Sequence, residues 1–333
     1  MKTSDLPYSL IAKEAGVSPA TISRALNSPQ LVKPETRRKI YQAIRDLGGT
    51  PPETAPADSS DLLILVLVPV LNNPFYTDIV QGIQNGAHQN DCQVIIINES
   101  VSAYNIQYIL HLISTLGVSG VILMEQIDGQ ILRELSAHTA VVQCCEYNAE
   151  EDVTYITIDH KDATQKMLRH ILSTGRTRIA LVNSDPARYI YARLRLQAYL
   201  ETLEKAGITP DPSHIVTIPD GTFSQALPAI SAMLKNAPVP EAIFCVSDIL
   251  AAAALRSCSL EGYKVPDDIL VAGFDNIDIS VMTTPNITTV SQPRHNIGVL
   301  ACSQLLSMIR DPEKEPQHFV LETEMVIRES TTF

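Results

Sequence analysis

Past residue 61 the chain alternates short, continuous apolar runs with segments of helical periodicity, and few folds satisfy that alternation. LLILVLVP (62–69) has no polar position before its proline, which is the pattern of a strand buried on both faces of a parallel sheet. A helical pattern over 75–90 follows, then the apolar run CQVIIIN (92–98), a helix over 104–116, GVILM (120–124), a helix over 128–137 and AVVQC (140–144). A second series starts at YITID (155–159). It continues through a helix over 161–174, RIALVN (178–183), a helix over 190–206, a strand near 214–218, a helix over 223–235, AIFCV (242–246), a helix over 248–261 and ILVAGF (269–274). Strands alternating with helices imply doubly wound parallel sheets. Two series in tandem predict two α/β lobes with a cleft between them, and ligands of such sheets bind beyond the C-terminal ends of the strands.

The first 48 residues follow another pattern. IAKEAGVSPATISRALN (11–27) reads as two short helices joined at Gly16, where a positive φ ends the first. Ser18 is placed to cap the second helix, with Pro19 at its first position. Ile11, Ala12 and Ala15 face inward from the first helix, and Ala20, Ile22, Ala25 and Leu26 from the second. Pro19, Thr21, Ser23 and Arg24 are left outside. That is the build of a helix-turn-helix whose second helix enters the DNA major groove, although an ordinary helical hairpin would share it. A third helix fits 35–47, with Ile40, Ala43, Ile44 and Leu47 on one side and Gly48 ending it. Charge favours the DNA reading. The chain carries −12 overall, yet its first 50 residues hold eight Lys and Arg against four Asp and Glu, leaving −16 on the remainder. A basic head on an acidic body localises phosphate attraction to one end.

Between the two lies GTPPETAPADSSD (49–61), with Pro51, Pro52 and Pro56, no large aliphatic residue and no basic one. It reads as a semi-extended linker. No run of 18 apolar residues predicts a membrane helix, and MKTSDLPYSL has no signal-peptide core. The expected location is the cytoplasm, at the nucleoid. The six cysteines show no CxxC and read as small core residues, not as disulfides or metal ligands. No metal and no cofactor is expected.

Strand ends supply the candidate ligand contacts. Asn73, Phe75 and Tyr76 follow the first strand, and Arg193 and Arg195 open the helix after RIALVN. Ser247 and Asp248 follow AIFCV, and Asp275 follows ILVAGF. Carboxylate and guanidinium groups pair with vicinal hydroxyls, while an aromatic face covers a sugar or base. The charges nearly cancel, which favours a neutral polyol, sugar or nucleoside over a phosphorylated ligand. Ser247 or Asp248 could equally be a helix cap.

With these pieces in order, the chain resembles the lactose-repressor (LacI/GalR) family of bacterial transcription regulators over nearly its whole length. The resemblance rests on AKEAGVSPATISRALN, NPFYTDIVQGI, ARLRLQAY, FCVSDILAAAAL, KVPDDILVAGFDNIDIS, TTVSQPRHNIG and the terminal VIRES. It implies an all-α helix-turn-helix head (1–48), a linker (49–61) and a periplasmic-binding-protein-like body (62–333). Lobe one would span about 62–157 and 289–317, and lobe two about 158–288 and 318–333. The implied protein is a homodimer on a palindromic operator, controlled by a small effector between the lobes. By resemblance, Ser18, Pro19, Ala20, Thr21, Ser23, Arg24 and Asn27 contact DNA. Phe75, Tyr76, Tyr189, Tyr191, Arg195, Asp248 and Asp275 contact the effector. SDILA and FDNIDIS are most similar to the nucleoside-responsive cytidine-repressor branch, which tilts the effector towards a nucleoside.

One departure carries an expectation of its own. The family linker usually reads Y-x-P-N-x-x-A-R-x-L and folds on DNA into a hinge helix that wedges a Leu into the minor groove. Here Gly49, Pro52 and Pro56 replace the Tyr, the Asn and the Arg, and the wedging Leu is missing. Pro56 breaks a short helix, and Glu53, Asp58 and Asp61 would face phosphate. No hinge helix and little operator bending are therefore expected. Competing readings are a solute-binding protein, opposed by the basic head, and an α/β enzyme. The enzyme is opposed by the absence of GxxxxGK[ST], GxSxG or GxGxxG in strand–helix context. A regulator of this fold controlled by a partner protein is a third.

Overall fold

The computed structural model describes residues 6–27, 32, 34–49, 62–236 and 238–332. It divides into two compact units, Met1–Leu62 and Leu63–Phe333. The linker expectation falls on residues 50–61, outside the described residues.

The first unit holds α1 (Tyr8–Ala15), α2 (Pro19–Asn27) and α3 (Pro34–Asp46). Gly16 takes φ 66°, and its N–H returns to the Ala12 carbonyl, which reverses the chain after α1. Ser18 Oγ accepts the Thr21 N–H at 3.2 Å and starts α2. Leu6, Ile11, Ala12, Ile22, Ala25, Val32, Ile40, Tyr41, Ala43 and Ile44 form one small core. The Tyr41 hydroxyl donates to the Ala25 carbonyl at 3.1 Å, fastening α3 to α2. Ala20 corrects the periodicity reading: it is exposed, while Ile22 and Ala25 are buried and Leu26 is half-buried. So short a helix buries only a narrow stripe, and Ala20 lies outside it.

The second unit contains, in order, β1 (Leu63–Val68), α4 (Phe75–His88), β2 (Gln93–Asn98), α5 (Ile106–Leu116), β3 (Gly120–Leu123), α6 (Gly129–Ser136), β4 (Ala140–Cys144) and β5 (Tyr155–Ile158). Then come α7 (His160–Ser173), β6 (Ile179–Ser184), α8 (Ile190–Lys205), β7 (Ile215–Ile218), α9 (Phe223–Leu234), β8 (Ala242–Cys245), α10 (Asp248–Leu260), β9 (Leu270–Ala272) and α11 (Ile279–Met282). The chain closes with β10 (Thr289–Ser291), α12 (Arg294–Arg310), β11 (His318–Leu321) and β12 (Glu324–Val326). Among the described residues the strands form a six-stranded sheet, β11-β5-β4-β3-β1-β2, a four-stranded sheet, β7-β6-β8-β9, and the pair β10-β12. Every pairing in the two large sheets is parallel.

Each large sheet is the floor of one lobe. The apolar run 92–98 is not buried on both faces: β2 is an edge strand, and its apolar residues are half-buried. Residues 318–321 also differ from the expected division, which gave them to the second lobe. β11 pairs with β5, His318 opposite Tyr155, and completes the first sheet. The exposed edge of β5 takes up these backbone groups, which would otherwise be left unpaired. The chain reaches the second lobe only afterwards, where Ser330 Oγ donates to the Val271 carbonyl at 2.6 Å.

The first lobe is closed on one face by α4 against α12. The two helices meet at Gly82 and Gly298, where an added Cβ would run into the backbone of His295 and Ile79 respectively. This approach brings the first turn of α4 beside the first turn of α12. There Arg294 Nη2 bonds Asp78 at 2.6 Å and a second guanidinium N–H bonds the Asp275 carbonyl oxygen.

Candidate functional site

In the head, Ser18, Pro19, Ala20 and Arg24 are exposed, and Thr21 and Ser23 are half-buried. Together they lie on the face of α2 opposite Ile22 and Ala25. Ser18 and Thr21 bond each other, 2.8 Å between oxygens. Asn27 ends α2, and its side chain lies outside what is described. A helix start lined by small residues, with one exposed Arg, lets the backbone come close to a groove while the guanidinium reaches a base edge or phosphate.

In the body, a cavity of about 240 Å³ opens at the C-terminal ends of both sheets. The first lobe contributes Asn73, Phe75 and Tyr76 after β1, and Cys145 and Glu146 after β4. The second contributes Ser184, Tyr189, Tyr191 and Arg195 around the start of α8, the turn Asp220–Phe223 after β7, and Ser247 after β8. His160, Asp275 and Gln292 lie where the chain crosses between lobes. Asn73 Oδ1 takes the Phe75 N–H at 3.0 Å and so sets the start of α4. Phe75 and Tyr76 meet edge to face at 5.3 Å, and Tyr189 and Tyr191 stack at 5.4 Å.

Arg195 is 3% exposed. Its guanidinium lies 3.4 Å from the Phe274 ring centroid and 4.9 Å from that of Tyr191. It donates to the Val246 carbonyl and, at 3.2 Å, to His160 Nδ1. Burial and the neighbouring Arg195 hold the His160 pKa well below the ordinary imidazole value. The neutral ring accepts at Nδ1, and its Nε2 proton faces Thr157 Oγ1 at 3.4 Å. Thr157 in turn donates to the Cys145 carbonyl at 3.2 Å. A continuous hydrogen-bonded line thus runs from α8 of the second lobe to the end of β4 in the first.

Asp275 adopts φ 111°, a left-handed conformation that turns its carboxylate against Gln292 Nε2 at 2.7 Å. Burial raises its pKa to about 6, with Arg195 pulling the other way. Glu146 is likewise buried, and its pKa is pushed up to about 7.

All the predicted effector residues but Asp248 line this cavity. Asp248 is fully buried instead. Its carboxylate takes the Thr289 hydroxyl at 2.6 Å and the Ile277 N–H at 2.9 Å, tying α10 to the crossing segment, while the cap of α10 is Ser247. Burial, then the nearby Asp275, raises the Asp248 pKa to about 8. A carboxyl with a pKa raised on folding stabilises the fold below its unfolded value, near 3.8, and loses that contribution as pH rises through 8. Asp275 and Glu146 act with the same sign. The low His160 pKa acts with the opposite sign only below about pH 6.5, so the melting temperature of the protein should fall between pH 6.5 and 8.5. Asp248→Asn should flatten that slope and raise the melting point at pH 8.5, read by differential scanning fluorimetry. An unchanged slope in the variant would remove Asp248 as the source.

Glu146, His160 and Gln292 also line the cavity, and the sequence pattern does not single them out. The β4 loop shows no periodicity to mark Glu146, and His160 follows its strand as a lone histidine with no motif around it. Gln292 lies inside the TTVSQPRHNIG resemblance, which could have pointed to it. Among the described residues, no group of three or more His, Cys, Asp and Glu side chains is placed to hold a metal ion. The cysteines are buried free thiols, and among the described residues no helix is long and apolar enough to cross a membrane.

Residues 11–51 match the bacterial regulatory proteins of the lacI family, and residues 168–331 match a periplasmic binding protein-like domain. The HTH-type transcriptional repressor CytR of Escherichia coli is 30% identical over 326 residues, covering 96% of this chain and 95% of that protein. Among solved structures, the lac repressor dimer bound to operator superposes with TM-score 0.77 at 26% identity, covering 96% and 97% of the two chains. A CelR–cellobiose complex, a transcriptional regulator, gives 0.73 at 27% identity, covering 98% and 99%. With the helix-turn-helix head, the two-lobed body and a relative of this extent in agreement, the chain belongs to the LacI family of bacterial regulatory proteins and is a DNA-binding transcriptional regulator.

Proposed function

We propose that the body binds a neutral nucleoside in the cavity, and that occupancy changes the affinity of the α2 surface for operator DNA. The protein acts as a homodimeric repressor on a palindromic site, in the cytoplasm at the nucleoid. One observation carries the choice of ligand: Phe75, Tyr76, Tyr189, Tyr191 and Phe223 line one cavity together with Arg195 and Asp275. Aromatic faces cover a planar base, and a carboxylate beside a guanidinium matches the vicinal hydroxyls of a ribose. Solved relatives hold sugars, namely CelR with cellobiose and a LacI-family regulator with ribose, so a glycosyl ligand suits this kind of cleft.

A thermal-shift panel of nucleosides, hexoses and pentoses tests this. Ligand at 100 times its Kd should stabilise the protein by about 2.7 kcal/mol. Nucleosides should stabilise it, and the paired change Arg195→Ala with Asp275→Asn should abolish the shift. Stabilisation by sugars alone would replace the nucleoside, and silence across the panel would favour control by a partner protein. The composition of the linker supports a head that reads DNA without a hinge helix. Operator bending in a circular-permutation gel shift should be small, and a strong bend would overturn that part.

A further inference from the structure

Glu146 lies in the loop after β4, on the first lobe, and is 4% exposed. Its Oε2 accepts the Ile190 N–H at 2.8 Å and its Oε1 the Tyr191 N–H at 3.3 Å. These are the first N–H groups of α8, which belongs to the second lobe, and Tyr189 at the cap position offers them no side-chain acceptor. First-turn N–H groups have no partner within their helix, and the helix dipole favours negative charge beside them. Arg193 and Arg195 on the same helix also attract this carboxylate. Two oriented N–H groups and the buried Arg195 guanidinium, with Arg193 adding attraction from outside the cavity, thus make one corner of it receptive to an anion, and a side chain from the opposite lobe occupies it.

We propose that Glu146 sets the charge class of the effector: it fills the anion-receptive corner at the start of α8 and so excludes phosphorylated and carboxylated ligands. This rests on the cavity being the effector site. A ligand phosphate in that corner would have to displace the carboxylate from Ile190 and Tyr191, or lie within a few ångströms of it. At an effective dielectric constant of about 20, two like charges roughly 5 Å apart cost on the order of 100-fold in affinity once Glu146 is ionised, so the exclusion is fullest above pH 7, where its carboxyl has lost its proton. Asp220 and Asp275, which line the same cavity, add to the exclusion.

The test is calorimetric titration at pH 8.5, where Glu146 is ionised, of the wild type, Glu146→Ala and Glu146→Gln with cytidine and adenosine, with their 5′-monophosphates, and with inorganic phosphate. Glu146→Gln keeps the shape and one acceptor, so it guards against a packing defect in Glu146→Ala. The ratio of monophosphate to nucleoside affinity should rise at least tenfold in Glu146→Ala and by a smaller factor in Glu146→Gln. Inorganic phosphate should bind Glu146→Ala at least tenfold more tightly than the wild type. Unchanged ratios and unchanged phosphate binding in both variants would overturn the role of Glu146. If nucleosides fail to bind the wild type, the nucleoside reading falls, and the phosphate titration alone then decides for or against Glu146.

Discussion

Arg195→Ala is expected to abolish effector binding, with a loss of at least 100-fold, and to lower the stability of the body by about 3–5 kcal/mol. The substitution removes the guanidinium held between Phe274 and Tyr191 and leaves the Val246 carbonyl without its partner. Burying an unpaired carbonyl costs about 1–3 kcal/mol. It also removes the cation that most lowers the Asp275 pKa, so that pKa rises further and the protonated carboxyl, which can donate to a hydroxyl ligand, is favoured. The line from Arg195 through His160 and Thr157 to Cys145 loses its first donor. Arg195→Lys should recover part of the stability but little of the binding, because an ammonium lacks the planar face and a second donor nitrogen held in a fixed fork. Calorimetry for affinity and fluorimetry for melting read both effects. Affinity within threefold of the wild type in Arg195→Ala would show that the ligand binds elsewhere.

The second large effect is expected at Gly298. A methyl group there overlaps the Ile79 carbonyl and lies 2.9 Å from the Ile83 nitrogen, both of them backbone atoms of α4 that cannot swing aside. Alanine favours a helix by about 1 kcal/mol over glycine, but overpacking against backbone costs about 1–3 kcal/mol and occasionally more. Gly298→Val, with its larger side chain, should destabilise the body by 3 kcal/mol or more on the same scale. That corresponds to a melting temperature roughly 5–10 °C lower. Forcing α4 from α12 also strains the Arg294–Asp78 pair, which stands beside Phe75, Tyr76 and the Asp275 backbone. Effector affinity should fall with stability. A variant that melts and binds as the wild type does would show that the helices are not in such close approach.

Local pattern explains why so many elements could be read from residues alone. Strands show as continuous apolar runs and helices as 3.6-residue periodicity, because each is decided by which faces its own residues bury. The turn at Gly16 and the cap at Ser18 are equally local. Reading weakened where two faces of one element are buried or half-buried against different neighbours. β2 reads like a central strand although it is an edge, because its run of isoleucines is apolar throughout while each is only half-buried. α12, buried between sheet and α4, shows little amphipathic signal and was not read as a helix.

Site residues divide along the same line. Arg195, Asp275 and the aromatic residues near strand ends were found because ligand positions in α/β sheets follow topology, and the resemblance placed them in order. Asp248 carried the same signature, a carboxylate after a strand, yet its side chain turns to Thr289 and Ile277. Only the path of the crossing segment distinguishes the two aspartates.

By itself, then, the sequence determined that a basic helix-turn-helix precedes two parallel α/β lobes, and which strand ends meet at the cleft. Tertiary structure decided what depends on chain segments far apart meeting in space. Asp78 and Arg294 pair across 216 residues, and β11 returns to the sheet of the first lobe. Glu146 caps a helix of the opposite lobe 44 residues on. Periodicity encodes which face of an element is buried, but not which neighbour buries it, and the chemistry of the cavity is set by the neighbours.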